Sequence, residues 1–323
     1  MLPVRMPVYG GPASVPADFG PSAVTVGKFD GVHRGHRGVL AQLRELADER
    51  GLIAAVVTFD RNPLSVIRPE ICPPAVSSLA QKTELLAEVG VDATLVVAFD
   101  RERSRQSAEH FVREILVDAL HAQVVLCGGD FRFGAGGEGD LELLRALGVQ
   151  HGFSVVLIDD VHADGGAERI SSTRVRDLIT SGEVAAAAEL LGRPPALRSV
   201  VVEGARLGRQ LGYPTANLDP ARLEGLVPAD GVYACWALVD GTAYGAAVSI
   251  GNNPTFEGVP EHQVEAHLFD QDIDLYGRTI ELRFVRYIRP MRRFDGMDEL
   301  MAAIRVDDAT IRAVLDDPTS GTR

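Results

Sequence analysis

Two histidines flank a glycine in the run G-K-F-D-G-V-H-R-G-H at residues 27–36. The run follows a short apolar stretch and opens onto a helical one. His33 and His36, three apart at a helix entry, can point to one side of it, and Gly35 allows close backbone approach. The start of a helix offers unpaired N–H groups and the positive end of a dipole. Such a loop, with Gly27, Asp30 and Gly35 as its other contacts, can hold a polyphosphate while the imidazoles hydrogen-bond the charge that develops on it. H-x-G-H alone fits a solvated loop with helix-capping histidines equally well. A zinc site needs further ligands, and no Cys/His cluster lies nearby in the sequence.

A second polar cluster, S-S-T-R-V-R at 171–176, precedes another helical segment. Ser or Thr there is a natural N-cap, but Ser172 and Thr173 with Arg176 also suit phosphate, which arginine grips in bidentate fashion. A third segment, 204–217, is punctuated by Gly204, Gly208 and Gly212 and ends in Pro-Thr-Ala-Asn. Its glycines let backbone N–H groups face phosphate oxygens, although G-x-x-x-x-G-K-[ST] is absent. On a strand, Thr215 and Asn217 point the same way, and their hard oxygens could share one Mg²⁺. Local turn bonding by Thr and Asn is the plainer reading of those two residues. Glu265, between Val264 and Ala266, reads by pattern as an outward-facing strand carboxylate.

The elements that must position these residues fall into two patterns. The chain of 323 residues is long enough for about two domains at ~150 residues each. Strand-like apolar runs at 23–26, 53–59, 93–99, 124–127 and 153–158 alternate with helical spacing at 36–50, 79–90, 108–122 and 141–147. Apolar strands in such alternation predict a parallel, doubly wound sheet covered on both faces. Ligands of such sheets bind at the C-terminal strand ends, where the residues after Val26, Phe59 and Cys127 lie. The helical face of 36–50 is expected on Val39, Leu43 and Leu46.

Helical segments at 173–181 and 184–191 then lead to Gly192-Arg193-Pro194-Pro195, which cannot continue a helix. The boundary is expected there, giving domains 1–193 and 194–323. Beyond it, short strands at 198–203, 231–239, 242–250, 263–268 and 279–288 predict a small antiparallel barrel. Asp240-Gly241 marks a hairpin, and one terminal helix covers 297–315.

Composition excludes several classes. Hydrophobic residues are 46% and charged residues 24%, ordinary for a packed globular chain. The net charge of −13 is spread over both halves, without the basic stripe that nucleic acid or an anionic membrane requires. No run approaches the ~18 apolar residues of a membrane span, and the N-terminus lacks a secretory apolar core. Cys72, Cys127 and Cys235 are odd in number and widely spaced, which fits a reducing cytoplasm. Only Lys28 and Lys82 of the 32 basic residues are lysines.

Taken in order, G-K-F-D-G-V-H-R-G-H, T-F-D-R-N-P at 58–63, G-G-D-F-R-F-G at 128–134, I-S-S-T-R-V-R at 170–176 and L-G-R-P at 191–194 resemble the bacterial bifunctional riboflavin kinase/FAD synthetases. The resemblance continues through P-T-A-N at 214–217, S-I-G-N-N-P-T-F at 249–256 and V-E-A-H-L-F-D with D-L-Y-G within 264–277. It implies an FMN adenylyltransferase module related to the HxGH nucleotidyltransferases, then a riboflavin kinase module. The substrates and products would be riboflavin, FMN, FAD, ATP and pyrophosphate.

His33 and His36 would sit at the ATP phosphates, with Ser172, Thr173 and Arg169 or Arg176 as a second grip. Asp130, Phe131 and Arg132 would belong to the nucleotide and flavin loop. Phe131 and Phe133 read equally as core residues of a Gly-rich turn. Thr215 and Asn217 would hold Mg²⁺ with ATP, and Glu265 would be the base for the ribityl 5′-hydroxyl. Residues 289–295 and the final helix match the family's flavin-closing flap. One departure is Asn62, where the family commonly carries histidine; asparagine can hydrogen-bond but cannot carry a proton charge.

Overall fold

In the computed structural model, residues 6–158, 170–204, 213–251 and 263–317 are described. Arg169, Gly208 and Gly212, and the N-N-P-T-F part of the 249–256 motif, lie outside them. The chain forms two compact units, Met1–Ser171 and Ser172–Arg323.

The first unit holds six parallel strands: β1 (Val8–Tyr9), β2 (Ser22–Val26), β3 (Ile53–Phe59), β4 (Ala93–Val97), β5 (Ala122–Cys127) and β6 (Ser154–Leu157), in the order β1-β4-β3-β2-β5-β6. Helices α1 (Arg34–Arg50), α2 (Leu64–Ile67), α3 (Leu79–Val89), α4 (Ala108–Phe111, continuing as a π-wound turn over Val112–Ala119) and α5 (Leu141–His151) connect them. Alternate strand residues feed two cores. Val24, Ala55, Val57, Leu95 and Val125 pack with Ile115 and Leu144 on one face. Ala23, Ala54, Val56, Val124 and Leu126 pack with Leu40 and Leu43 on the other. Burial on both faces is why the strands read as unbroken apolar runs.

Strands β2, β3 and β4 are laid down to one side, and the chain then returns to place β5 on the other side of β2. The order reverses between β2 and β5, so their C-terminal ends bound the crevice where ligands of such sheets bind. The loops starting at Gly27 and Gly128 leave from those ends.

Helix α1 begins two residues earlier than its spacing predicts, because His33 caps it. Its buried stripe is Leu40, Leu43 and Ala47, with Val39 and Leu46 only partly buried. Helix α3 starts on a capping box, in which the Ser78 hydroxyl takes the Gln81 amide and the Gln81 side chain takes the Ser78 amide, satisfying two otherwise orphaned donors.

The second unit begins with α6 (Ser172–Thr180) and α7 (Val184–Leu191) and continues as a closed barrel of β7 (Ala196–Val202), β8 (Ala216–Leu218), β9 (Gly231–Val239), β10 (Thr242–Gly251), β11 (Gln263–Leu268) and β12 (Thr279–Arg289), ending in α8 (Met297–Asp316). All barrel pairs are antiparallel. The division falls before α6 rather than at the 193/194 boundary expected from Pro194-Pro195. Val184 of α7 is fully buried in the barrel core with Leu197, Tyr233 and Phe284. The prolines stop a helix but mark no gap in packing.

The β9–β10 hairpin turns at Asp240-Gly241 with φ of 47° and 82°, the doubly positive geometry that matches strand twist. Outward residues Val232, Ala234, Trp236 and Ala247 bury against Ile311, Val314 and Leu315 of α8. The terminal helix therefore completes a second layer over the barrel.

Candidate active sites

The first site lies where β2 ends. His33 is the N-cap of α1: its Nδ1 accepts the backbone N–H of His36 at 3.2 Å. An Nδ1 that accepts leaves the neutral ring's proton on Nε2, which is then a donor. The His33 and His36 rings stack with centroids 3.6 Å apart and planes within 15°, and the Phe29 ring meets His36 edge-on at 5.2 Å. A Cβ on Gly35 would stand 3.1 Å from Cε1 and Nδ1 of His33 and 3.5 Å from the carbonyl oxygen of Ile170. A side chain there would press the ring aside by a few tenths of an ångström, while the carbonyl would meet it at ordinary contact distance.

The loop carries two non-glycine residues at positive φ, Phe29 (49°) and Val32 (37°). Such conformations persist where surrounding contacts over-determine them. Here both side chains are core residues, and Asp30 anchors the loop by accepting the amides of Val76 at 2.9 Å and Ser77 at 3.3 Å. Asp30 thus ties this loop to the segment that leads into α3.

After β3, Asn62 Oδ1 accepts the amide of Leu64 at 3.1 Å, an Asx turn that starts α2. After β5, Asp130 and Arg132 are exposed, whereas Phe133 is core and Phe131 stacks on it at 5.3 Å. The core reading of these phenylalanines fits, and Phe131 keeps a partly open face. Glu138 anchors the far side of the loop by accepting the Ala108 amide at 2.9 Å. In the second unit, Ser172 and Thr173 begin α6, and Arg176 is buried.

The second site is built on the barrel. Glu265 on β11 lies opposite Asn217 on β8 and opposite Ser249 on β10. Burial raises the Glu265 carboxyl above its ordinary value of 4.5, while a hydrogen bond from the Thr215 side chain lowers it. Glu265 does lie on the outer face of the barrel, because Val264, Ala266 and Leu268 of the same strand fill its core, but it is partly buried there rather than freely solvated. A Cβ on Gly204 would fall 2.4 Å from Nδ2 and 2.7 Å from Oδ1 of Asn217, so Gly204 exists to let that amide through.

A cavity of about 650 Å³ opens on the other side of Thr215 and Asn217, walled also by Gly204, Ala266, Asp272, Asp274 and Tyr276; Glu265 is their neighbour but not part of its wall. The two hard oxygens beside a carboxylate suit a small divalent cation. Among the described residues no group of three or more His, Cys, Asp or Glu could hold a metal, so a cation here would rest on hydroxyl and amide oxygens such as those of Thr215 and Asn217.

A family model described as FAD synthetase matches residues 15–174, and one described as riboflavin kinase matches residues 191–315. The bifunctional riboflavin kinase/FMN adenylyltransferase of Escherichia coli (strain K12) is 41% identical over 290 residues, spanning 90% of this chain and 91% of its own. The chain belongs to the bifunctional riboflavin kinase/FMN adenylyltransferase family. Its Pseudomonas fluorescens member is 40% identical, with 90% of this chain and 92% of that one covered.

A crystal structure of a macrolide-efflux protein from Streptococcus pneumoniae is also similar, at 29% identity and a TM-score of 0.81, covering 96% of this chain and 99% of that one. Among the described residues no helix is long and apolar enough to cross a membrane.

Two groups outside this family's motifs are brought to the sites by the fold. Lys82, on α3, reaches the ends of β2 and β3. Tyr213 stacks on His267 at 3.6 Å and donates to Asp308 Oδ1 at 2.7 Å, tying the Thr215 segment to α8. Burial, with Asp308 beside it, pushes that phenol far above its ordinary range, so it stays a neutral donor. The signal for His267 was present, since it lies two residues from Glu265 and so on the same face of β11.

Proposed function

We propose that this chain phosphorylates riboflavin to FMN at the Glu265 site and adenylylates FMN to FAD at the His33/His36 site, each step consuming one ATP. The order of the two family models along the chain, FAD synthetase first and riboflavin kinase second, carries the reading.

In the kinase step the ribityl 5′-hydroxyl attacks the γ-phosphorus of ATP. Its proton passes to the Glu265 carboxylate, the new O–P bond forms, and ADP leaves. Phosphoryl transfer asks chiefly for positioning and neutralised charge, so one carboxylate suffices as base. Partial burial helps, because a carboxylate lifted above its ordinary value is a stronger acceptor at neutral pH. Thr215 and Asn217 would hold Mg²⁺, which neutralises phosphate charge when bound with ATP. Gly204 keeps Asn217 in place.

In the adenylyl step a phosphate oxygen of FMN attacks the α-phosphorus of ATP and pyrophosphate departs, with no covalent enzyme intermediate. The work is positioning and charge stabilisation. His33 donates from Nε2, His36 stacks on it, and the α1 N-terminus faces the same phosphates. Ser172, Thr173 and Arg176 give the second grip, and Asp130, Phe131 and Arg132 border the nucleotide and flavin. Asn62 holds the loop after β3 without supplying a cation.

The test is one time course with riboflavin, excess ATP and Mg²⁺, the flavins separated chromatographically. FMN rising and then giving way to FAD is expected. FMN accumulating alone would mean that the first site does not turn over, with Asn62 the first residue to exchange for histidine. No product from riboflavin or from supplied FMN would overturn the assignment.

A further inference from the structure

Lys82 is only 8% exposed, and its Nζ donates to the carbonyl of Phe59 at 2.8 Å and to the carbonyl of Lys28 at 3.2 Å. Both acceptors stand at the catalytic end of the sheet. The β2–β3 ladder runs to Gly27, whose amide bonds the Val57 carbonyl at 3.0 Å. Carbonyls of a strand face the same neighbour every second residue, so Phe59 is the next acceptor facing β2. Its natural partner would be an amide of a continuing β2, but the chain has turned away there, with Phe29 at positive φ. The strands part at this point to make room for the site, and parting them strands a carbonyl. Lys82 fills that gap from α3, while the Thr58 hydroxyl supplies a second donor to Lys28 at 3.1 Å.

The ammonium is desolvated here, which lowers its proton affinity, and Asp30 and Asp60 oppose that effect. Those two carboxylates are themselves tied down. Asp30 accepts the Val76 and Ser77 amides, and Asp60 accepts the Phe99 amide at 2.8 Å and the Arg61 guanidinium. The cation is thus the centre of a cluster joining the Gly27–His33 loop, the loop after β3 and the start of α3. A buried ammonium so placed is a costly group to retain as filler.

We infer that Lys82 is a positioning residue for adenylyl transfer, holding the histidine-bearing loop and the Asn62-bearing loop at the separation the reaction needs. The inference rests on the adenylylation reading of the first site. Lys82 acts through Lys28 and Phe59, so its loss moves His33 and Asn62 relative to each other. Such displacement harms the transition state more than ground-state binding.

The test compares Lys82→Met, Lys82→Gln and Lys82→Arg in the full-length chain, assaying FAD formation from FMN and FMN formation from riboflavin in each. Lys82→Met is expected to lower kcat for FAD formation between about 10- and 100-fold, the scale of an ångström-sized misplacement. KM for ATP should stay within a few-fold and FMN formation should be unchanged. Lys82→Arg, which keeps the charge and enough donors for both carbonyls, should recover most of that kcat. If Lys82→Met does not fold, as read by its thermal unfolding, Lys82→Gln carries the comparison.

A kcat within twofold of wild type in the Met or Gln variant overturns the inference. So does a loss that Arg fails to relieve in a folded protein, since bulk rather than bonding would then explain it. Wild-type chain that makes no FAD from supplied FMN would instead overturn the reading underneath.

Discussion

Glu265 shows how much one side chain's surroundings decide. On sequence it is a strand carboxylate, and in the barrel it is desolvated with the Thr215 hydroxyl donating to it. Its folded value lies above 4.5, so between 4.5 and that higher value the folded state holds the proton more tightly than the unfolded chain. Stability is then fully present below 4.5 and falls as pH rises through the folded value. Glu265→Gln removes the titration. The variant should lose FMN formation by at least about 10²-fold, the usual scale for a general base, and keep FAD formation from FMN. It should melt at a higher temperature than wild type at pH 7 and lose that advantage near pH 4, which thermal scans at the two pH values will show. The acid limb of kinase kcat/KM should lie above 4.5 for the same reason.

At the scale of elements, the two sites share a device: a glycine whose missing Cβ makes room for a functional side chain from a neighbouring turn or strand. Gly35 sits under the His33 ring, and Gly204 sits against the Asn217 amide. Gly35→Ala, in the first turn of α1, sets a Cβ 3.1 Å from the His33 ring and shifts the ring by a few tenths of an ångström. It should therefore cut FAD formation tenfold or more without lowering the melting temperature. Gly204→Ala, whose Cβ would overlap Asn217 at 2.4 Å, should raise KM for MgATP in the kinase reaction and leave adenylylation untouched. Steady-state assays of both reactions on each variant check the pair, and crossed effects would contradict the division of labour. The glycines and their motifs were legible in the sequence. What each one makes room for was not, because Gly204 and Asn217 meet only once the chain closes the barrel.

At the scale of the whole molecule, two compact units carry two reactions linked by one intermediate, FMN. A mixture of His36→Ala, competent only in the kinase step, and Glu265→Gln, competent only in adenylylation, should turn riboflavin into FAD after a lag while neither does so alone. Chromatography of the mixture against each variant decides it, and absence of FAD would mean that FMN does not pass through solution between chains.

Local pattern was enough to determine the alternating strands and helices, five of the six barrel strands, the Asp240-Gly241 hairpin and the order of the family's motifs. Those features depend on apolar periodicity and turn chemistry within a few residues. Only the tertiary structure decided that α6 and α7 pack with the barrel, that Glu265 faces Asn217, and that Lys82 replaces the bond missing where β2 and β3 part. Each depends on groups far apart in the chain being desolvated together, and neither composition nor spacing records which distant donor will meet a given acceptor.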